Sequence, residues 1–409
     1  MLLQLYKQAY SGLSRNSWYL CLVMLVNRSG TMVIPFMTIY CTQKLHFSIV
    51  QAGIIMMLFG FGSVVGGFIG GKITDKYGFY DVQAGALLSG GVLFMILGLQ
   101  HTFLSIATLS FILSMCNDAF RPANSTAIAY YSSAENKTRS FSLNRLAVNL
   151  GWALGGAVGG FLASVNYHLL FWVDGSTNIL AGIMLLILMP RSKIVNASKA
   201  AVAASKDVSA SAYKDKIYLV FIFFQFLFAM CFFQLFTMQP VFYKEQWHLS
   251  EQFIGGLMAL SGTMITLIEM VLVNNLEGRR HQLQFTALGV LIVGSSFIVL
   301  NILPAMAFTA ILSMVIITIG EMMSMPFMSS FFIGRTTDQN RGQYAGLFTM
   351  SWSLAQIGAP LIGSRVIEKF NYQALWWLMG LICFIASAGF LLLYKVTSRK
   401  ERALMEQVM

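Results

Sequence analysis

Residues 117–122, NDAFRP, place an acid, a base and a proline inside a run of apolar residues long enough to cross a membrane. Half the chain later, residues 321–326, EMMSMP, again place an acid and a proline inside such a run. Arg139 and Arg341 then open glycine-rich apolar runs at equivalent positions. These matches indicate that the chain consists of two similar halves. In a membrane protein, such a duplication is typical of secondary transporters.

The composition supports a membrane protein. Hydrophobic residues make up 57% of the chain and charged residues 11%, whereas a typical soluble domain has roughly 25% charged residues. A soluble globular protein is therefore excluded. Stretches of about 20 apolar residues predict twelve transmembrane helices, at residues 18–40, 48–71, 82–100, 103–130, 140–164, 168–190, 217–243, 252–275, 282–302, 304–332, 342–367 and 373–396.

The longest polar stretch is 191–216, RSKIVNASKAAVAASKDVSASAYKDK. It is rich in Ala, Ser and Lys without apolar periodicity, which is typical of a linker. It divides the predicted helices six and six. We therefore predict an N-terminal six-helix bundle at 1–190, a linker at 191–216 and a C-terminal six-helix bundle at 217–409.

The net charge of +11 is explained by membrane topology. Most Lys and Arg residues fall in segments that would be cytoplasmic if the N-terminus is inside, including the linker. This distribution predicts that both termini are cytoplasmic and excludes a nucleic-acid partner. The first apolar run contains Arg28 and is followed by no cleavage site, so we expect a retained helix. The five cysteines are scattered and predict neither a metal site nor a disulfide framework.

The segment at residues 71–80, GKITDKYGFY, joins the second and third predicted helices. Its glycines, Gly71 and Gly78, allow positive φ angles and close helix approach. The segment resembles the loop signature of the major facilitator superfamily. The resemblance implies that Asp75 helps to latch the outward-facing state. This chain has Phe-Tyr where the family has a basic pair, which predicts a weaker latch, and the alternative is an ordinary polar turn.

Residues 151–160, GWALGGAVGG, form a small-residue face on the fifth predicted helix. The run resembles a fifth-helix motif of exporters in the same superfamily, although Gly156 replaces the usual proline. We therefore expect Gly155 and Gly160, together with Arg145, to form part of a conformational gate. Plain helix packing explains the glycines equally well and leaves the direction of transport open.

The resemblance covers nearly the whole chain. It implies an all-α membrane protein of twelve transmembrane helices in two six-helix bundles related by pseudo-twofold symmetry. It also implies that predicted helices one, four, seven and ten line a central cavity. Residues 320–346 look most like the tenth-helix region of the drug/proton antiporter branch.

Charges within the apolar runs are the strongest functional signal, because each costs about 2.5 to 3.5 kcal/mol at the centre of a membrane helix. Asp118 and Arg121 are three positions apart, so we predict that they pair on one helix face. The polar residues of the four cavity-lining helices predict a substrate site. Its candidate residues are Arg28, Asn117, Asp118, Arg121, Gln225, Gln234 and Glu321.

Glu321 is the main candidate for proton coupling, because a partly desolvated carboxyl titrates closer to physiological pH. Asp118 and Glu269 are further candidates. The alternative for Glu321 is a permanent ion pair that holds helices together. For Glu269 and Asp174, which lie nearer helix ends, the structural role is favoured.

The leading hypothesis is a secondary active transporter that moves a small amphipathic molecule by alternating access, driven by protons, with export favoured. The alternative is a proton-coupled importer of an anionic or zwitterionic solute such as a short peptide, since guanidinium groups suit carboxylates. An intramembrane enzyme is not favoured, because the histidines lie in or near loops without a catalytic motif. We expect no cofactor and no metal, and a monomer in the lipid bilayer of a bacterial inner membrane.

Overall fold

The computed structural model describes residues 13–132, 137–191, 211–276, 278–336 and 341–408. Over these residues the chain is helical, without β-strands. Eleven helical segments of this described part are long and apolar enough to cross a membrane. The predicted class, an all-α membrane protein, is confirmed.

The predicted count of twelve membrane-spanning helices is not confirmed. The helix Arg341–Lys369 is present at the expected place and is long enough, but it is not among the eleven apolar segments of the described residues. Polar side chains such as Gln343, Ser351 and Gln356 interrupt its apolar run. Its sequence is therefore less apolar than that of the other long helices.

The α-helices of the described residues are, in chain order, α1 (Arg15–Ser29), α2 (Val33–Ile39), α3 (Ile49–Tyr77), α4 (Phe79–Leu97), α5 (Phe103–Asp118), α6 (Phe120–Tyr131), α7 (Lys137–Val165), α8 (His168–Leu188), α9 (Lys216–Phe232), α10 (Gln234–Thr237), α11 (Gln239–Glu245), α12 (Glu251–Leu276), α13 (Gln282–Ile302), α14 (Ala307–Gly334), α15 (Arg341–Lys369) and α16 (Tyr372–Val408). A π-helical turn at Tyr40–Lys44 follows α2, and a short 3₁₀ turn at Ala212–Lys214 precedes α9.

The chain folds into two compact units. The first comprises Met1–Ala204 and Ser250–Thr266, and the second comprises Ser205–Leu249 and Leu267–Met409. Most of the predicted linker, residues 192–210, lies outside the described residues. The division into bundles at 1–190 and 217–409 therefore stays a proposal.

Three of the predicted membrane helices are interrupted, and in each of them a proline lies in the first turn of the helix that follows a break. Pro35 lies in the first turn of α2, Pro122 in that of α6, and Pro240 in that of α11. Proline lacks an N–H and clashes with the carbonyl one turn earlier, so it is tolerated where a helix starts. Pro326, by contrast, lies inside the uninterrupted helix α14. The two prolines of the sequence repeat therefore have different local structures.

In the first unit, α3 packs closely against α5 along a stripe of glycines. Gly62, Gly66 and Gly70 are spaced one turn apart, and a Cβ at any of them would overlap backbone atoms of Phe111, Met115 or Ala119. This close approach allows backbone contact between helices, which is a common source of stability in membranes. It fixes α5, and with it the residues at its C-terminal end, against α3.

In the second unit, α13 packs against both α14 and α16. Gly289 of α13 and Gly320 of α14 approach each other so closely that a Cβ on either would overlap the other's carbonyl oxygen. On the opposite side, Phe297 stacks on Trp376 with 5.8 Å between ring centroids. Ser387 of α16 donates to the Ala287 carbonyl oxygen at 2.7 Å. These contacts place Glu321, the neighbour of Gly320, on a well-packed helix.

Candidate functional site

The first unit brings three of the predicted charges together near the ends of α1 and α5. The Arg121 Nε lies 2.7 Å from the Asp118 Oδ1, so the predicted ion pair is present. Arg28 interacts electrostatically with both residues: the charge of Arg121 repels it and the carboxylate of Asp118 attracts it. The cluster thus holds two guanidinium groups and one carboxylate.

The three charges differ in exposure. The Asp118 side chain is 6% exposed, whereas the Arg121 side chain is 56% exposed. The Ser114 hydroxyl also donates to Asp118 Oδ2 at 3.4 Å. The Nε of Arg28 is buried and has no hydrogen-bond partner among the described residues. A buried donor of this kind is costly unless a further group satisfies it, which makes Arg28 a candidate ligand-binding side chain.

Arg28 lies in the last turn of α1, against the glycine face of α7. A Cβ at Gly151 would overlap the Arg28 Cβ, and a Cβ at Gly155 would lie 3.1 Å from the Thr31 carbonyl oxygen. The glycines therefore let the end of α1 approach the α7 backbone. Gly155, which was predicted as a gate residue, contributes to the position of Arg28.

Asn117 lies next to Asp118 and is half-buried. It packs over Gly90 of α4, where a Cβ would lie 3.0 Å from the Asn117 Oδ1. A row of three side-chain amides that the sequence analysis did not single out links neighbouring helices, and two of them, Gln83 and Asn124, are buried. Gln83 donates to the Asn124 Oδ1 at 3.1 Å, and Asn124 donates to the Asn144 Oδ1 at 3.2 Å. This row connects α4, α6 and α7 by hydrogen bonds.

The two predicted glutamines of the second unit contact α15. The Gln225 Nε2 donates to the Phe348 carbonyl oxygen at 3.3 Å, while its Oε1 is buried without a partner in the described part of the chain. The Gln234 Nε2 donates to the Ala359 carbonyl oxygen at 2.9 Å, and its Oε1 accepts from Thr237 at 3.4 Å. Gln234 is thus engaged in helix packing, whereas Gln225 retains an available acceptor.

The two predicted proton-coupling glutamates lie on different helices. Glu321 is half-buried on α14, three residues before Ser324, whose hydroxyl donates to the Gly320 carbonyl oxygen at 2.7 Å. Glu269 is half-buried on α12 and is flanked by exposed apolar residues, including Leu267 and Met270. Glu321 therefore lies in the better-packed environment of the two.

The predicted loop signature ends α3. Gly78 has φ of 92°, a left-handed conformation that favours glycine, and its N–H bonds the Thr74 carbonyl oxygen at 2.9 Å. A Cβ at Gly71 would meet open space, so sterics do not require glycine there. Asp75 lies in the last turns of α3, and its side chain is outside the described residues.

The remaining gate candidates lie on α7. Arg145 is exposed. Gly160 packs against the first turn of α12, where its Cβ would lie 2.5 Å from the Glu251 carbonyl oxygen. Nearby, the Tyr167 hydroxyl donates to the Glu251 Oε1 at 2.6 Å. Burial, with the hydrogen bond to Glu251, raises the pKa of Tyr167, so the phenol stays a donor at neutral pH.

A polar network at the start of α9 was also missed by the sequence analysis. Asp215 caps α9 by accepting from the Tyr218 N–H at 3.1 Å. Its Oδ2 also accepts from the Arg335 Nη2 at 2.7 Å and from the Tyr344 hydroxyl at 3.0 Å. Burial alone would raise the pKa of Asp215, but these partners outweigh it and hold the pKa below its usual value. Asp215 lies at the end of the predicted linker, and nothing in the sequence around it indicates that Arg335 and Tyr344 would be its partners.

Metal ligation has no support in the described part of the chain, where no group of three or more His, Cys, Asp or Glu side chains could hold an ion. The five cysteines are free thiols, and Cys41, Cys231 and Cys383 are buried.

A family model for the Major Facilitator Superfamily matches residues 20–358. A Na(+), Li(+), K(+)/H(+) antiporter of Planococcus maritimus is 23% identical over 400 residues, which cover 90% of this chain and 92% of that protein. The quinolone resistance protein NorA of Staphylococcus aureus is 27% identical over 159 residues, 39% of this chain and 40% of the relative.

Solved structures share the fold. A crystal structure of a mutant of the peptide transporter POT, in complex with alafosfalin, superposes with a TM-score of 0.76 at 18% identity, covering 95% of this chain and 96% of that one. The family model spans most of the chain, from the interrupted first helix into α15. This chain is an integral membrane transporter that belongs to the major facilitator superfamily.

Proposed function

We propose that this transporter moves a small amphipathic molecule across a bacterial inner membrane by alternating access, coupled to protons, with export favoured. In the proposed topology both termini are cytoplasmic, as the distribution of Lys and Arg predicts. The protein acts as a monomer and needs no cofactor. Members of this superfamily carry small-molecule substrates, often with proton or ion coupling.

The observation that carries the proposal is the cluster of Arg28, Asp118 and Arg121. Two positive charges and one negative charge lie within apolar helices, where each is expensive to keep. One carboxylate compensates one guanidinium, so the cluster retains the charge of one arginine. The buried Arg28 Nε has no partner among the described residues. A polar or anionic group of a substrate would supply the missing acceptor.

Proton coupling is assigned to Glu321, with Asp118 and Glu269 as secondary candidates. Glu321 is half-buried beside the close contact of Gly320 with α13. A carboxyl held at partial burial gains or loses a proton more readily near neutral pH than an exposed one. The relative from Planococcus maritimus is named as a proton antiporter, which supports exchange rather than a channel mechanism.

The gate is assigned to the glycine face of α7 and the loop after α3. Gly155 and Gly160 allow backbone contact with α1 and with the first turn of α12. Gly78 ends α3 with the positive φ that the loop signature requires. We expect Gly71, Asp75 and Arg145 to change partners when the transporter changes state.

The second candidate function is proton-coupled uptake of an anionic or zwitterionic solute such as a short peptide. It is favoured by the excess of guanidinium groups over carboxylates in the cluster. Guanidinium groups bind carboxylates in a bidentate fashion. The two candidates predict opposite directions of proton movement, and this difference can be measured.

The test uses purified protein in liposomes that enclose a pH-sensitive dye. Solutes added outside would be a fluoroquinolone, a dipeptide, and Na⁺, Li⁺ or K⁺ salts, chosen from the names of the relatives. Antiport predicts that an acidic lumen becomes more alkaline as solute enters. Symport predicts that a neutral lumen becomes more acidic. Entry of radiolabelled solute without any change of lumen pH would contradict proton coupling.

A further inference from the structure

The first membrane segment is interrupted one residue after Arg28. Helix α1 ends at Ser29, and α2 begins at Val33. Within the interruption, the Thr31 N–H bonds the Arg28 carbonyl oxygen at 3.1 Å. Backbone N–H groups at such a break need partners, because the membrane interior contains no water to satisfy them.

Asp174 of α8 supplies the partner of the Val33 N–H and a second partner of the Met32 N–H, which also bonds the Gly30 carbonyl oxygen at 2.7 Å. Its Oδ1 accepts from the Met32 N–H at 3.0 Å, and its Oδ2 accepts from the Val33 N–H at 2.9 Å. The Asp174 residue is 1% exposed. Each carboxylate oxygen therefore binds one backbone donor on the far side of the break. An isolated buried acid would be expensive, and these two bonds are what compensates it.

The near side of the break is held from the same face of α8, one turn further along. The Asn27 Nδ2 donates to the Asn178 Oδ1 at 2.9 Å, and Asn178 donates to the Asp174 carbonyl oxygen at 2.8 Å. Gly30, in the middle of the break, lies so close to Thr177 that a Cβ would overlap its side chain. One face of α8 thus fixes the chain on both sides of Arg28.

We propose that Asp174 is a positioning residue that holds Arg28 in the ionic cluster by bracing the interrupted helix. The inference depends on the role of Arg28 in the proposed function. Asp174 does not contact the substrate. Its two oxygens hold the start of α2 directly after the break, and this constrains where the end of α1, and with it the Arg28 guanidinium, lies relative to Asp118 and Arg121. Both oxygens must be acceptors for this purpose.

The variant Asp174→Asn keeps the size of the side chain and replaces one acceptor by an NH₂ group. That group would face a backbone N–H, so one of the two bonds is lost and two donors oppose each other. Asp81→Asn is the matched control, since Asp81 lies in the same unit but is exposed and pairs with Arg191 at 3.0 Å. A control of this kind changes an acid to an amide without touching the break.

Hydrogen–deuterium exchange of the full-length protein in detergent tests the brace without any substrate. We expect the amides of Met32 and Val33, which Asp174 binds, to exchange about tenfold faster in Asp174→Asn than in the unaltered protein, which corresponds to the loss of one buried hydrogen bond. Asp81→Asn should leave them unchanged. Unaltered exchange in Asp174→Asn would overturn the proposal.

A double-mutant cycle with Arg28→Ala then tests positioning against a general structural role. The probe is whichever of the fluoroquinolone and the dipeptide gives the larger proton flux. Asp174→Asn should raise the KM for this probe about tenfold with little change in maximal rate. In a protein that already carries Arg28→Ala, adding Asp174→Asn should change the KM by less than about twofold. Additive effects on KM would contradict positioning.

Two outcomes separate this inference from the proposed function. A normal KM in Arg28→Ala would remove Arg28 from the binding site and refute the proposed function, while the exchange experiment would still report on the brace. A raised KM in Arg28→Ala with a normal KM in Asp174→Asn would refute only the positioning role. If Asp174→Asn does not fold, Asn178→Ala replaces it. This variant removes the hydrogen bond between Asn178 and Asn27 and should raise the KM by a smaller factor.

Discussion

Asp118 and Arg121 form an ion pair of 2.7 Å across the junction between α5 and α6. The carboxylate is buried and the guanidinium is more than half exposed. Pro122 lies in the first turn of the new helix, which begins at Phe120. The pair therefore joins the tightly packed end of α5 to a side chain that a solute can reach.

The variant Asp118→Asn should be less stable than the double variant Asp118→Asn/Arg121→Gln. The single change leaves Arg28 and Arg121 to repel each other without the intervening negative charge, and unpaired charges are more harmful than the loss of both partners. We expect a loss of about 1 to 2 kcal/mol, below that of a fully buried pair, because Arg121 is largely solvated.

Thermal unfolding of the purified proteins in detergent measures this difference. The Arg121→Gln variant alone completes the cycle and gives the coupling energy between the two side chains. A double variant that is as unstable as the sum of the two single variants would show that the pair contributes nothing.

The variant Glu321→Gln should abolish the dependence of transport on a pH gradient while solute exchange at equal pH continues. The amide keeps the size of the side chain but cannot take up or release a proton. Glu368→Gln is the control, because Glu368 is an exposed acid paired with Arg365 at 3.1 Å. Solute transport by both variants and by the unaltered protein is measured in liposomes with and without an imposed pH gradient. Gradient-driven transport that persists in Glu321→Gln would assign coupling to another residue.

The sequence predicted the class of fold and the ion pair because both depend on short-range patterns. Apolar runs of about 20 residues identify membrane helices, and a spacing of three places Asp118 and Arg121 on one helix face. The positive φ of Gly78 was likewise expected from a local turn signature. Each of these features is decided within a few residues of the chain.

Features that depend on distant residues were not predictable in the same way. Asp174 was interpreted as a structural charge, but its partners, the N–H groups of Met32 and Val33, are available because α1 ends at Ser29 and α2, with Pro35 in its first turn, begins at Val33. Asp215 finds Arg335 far along the chain. The apolar periodicity of one helix does not indicate which residues of another helix its side chains will contact.

Acidification should weaken the network at Asp215. Since the folded-state pKa of Asp215 lies below its usual value of about 3.9, the carboxylate stabilises the folded protein at neutral pH. That contribution is complete above the unfolded-state pKa and is lost as the pH falls through the lower folded-state pKa. Asp215→Asn should therefore lower the unfolding temperature at pH 7, and the difference from the unaltered protein should shrink below about pH 4.

Thermal unfolding over a series of pH values provides this comparison. Asp81→Asn serves again as the control, since Asp81 is half exposed and its partner Arg191 is largely solvated. A difference between Asp215→Asn and the unaltered protein that stays constant down to the lowest pH would assign the stabilisation to something other than the ionised carboxylate.

The glycine stripe of α3 allows a test in which two neighbouring residues predict opposite results. Alanine favours helix over glycine by about 1 kcal/mol, so helix propensity alone would make both Gly66→Ala and Gly67→Ala stabilising. A Cβ at Gly66 would overlap the Met115 backbone, whereas nothing lies within 4 Å of a Cβ at Gly67. Gly66→Ala should therefore destabilise by about 1 to 3 kcal/mol and reduce transport, because α5 and Asp118 must move away. Equal unfolding temperatures for the two variants would show that α3 and α5 do not pack this closely.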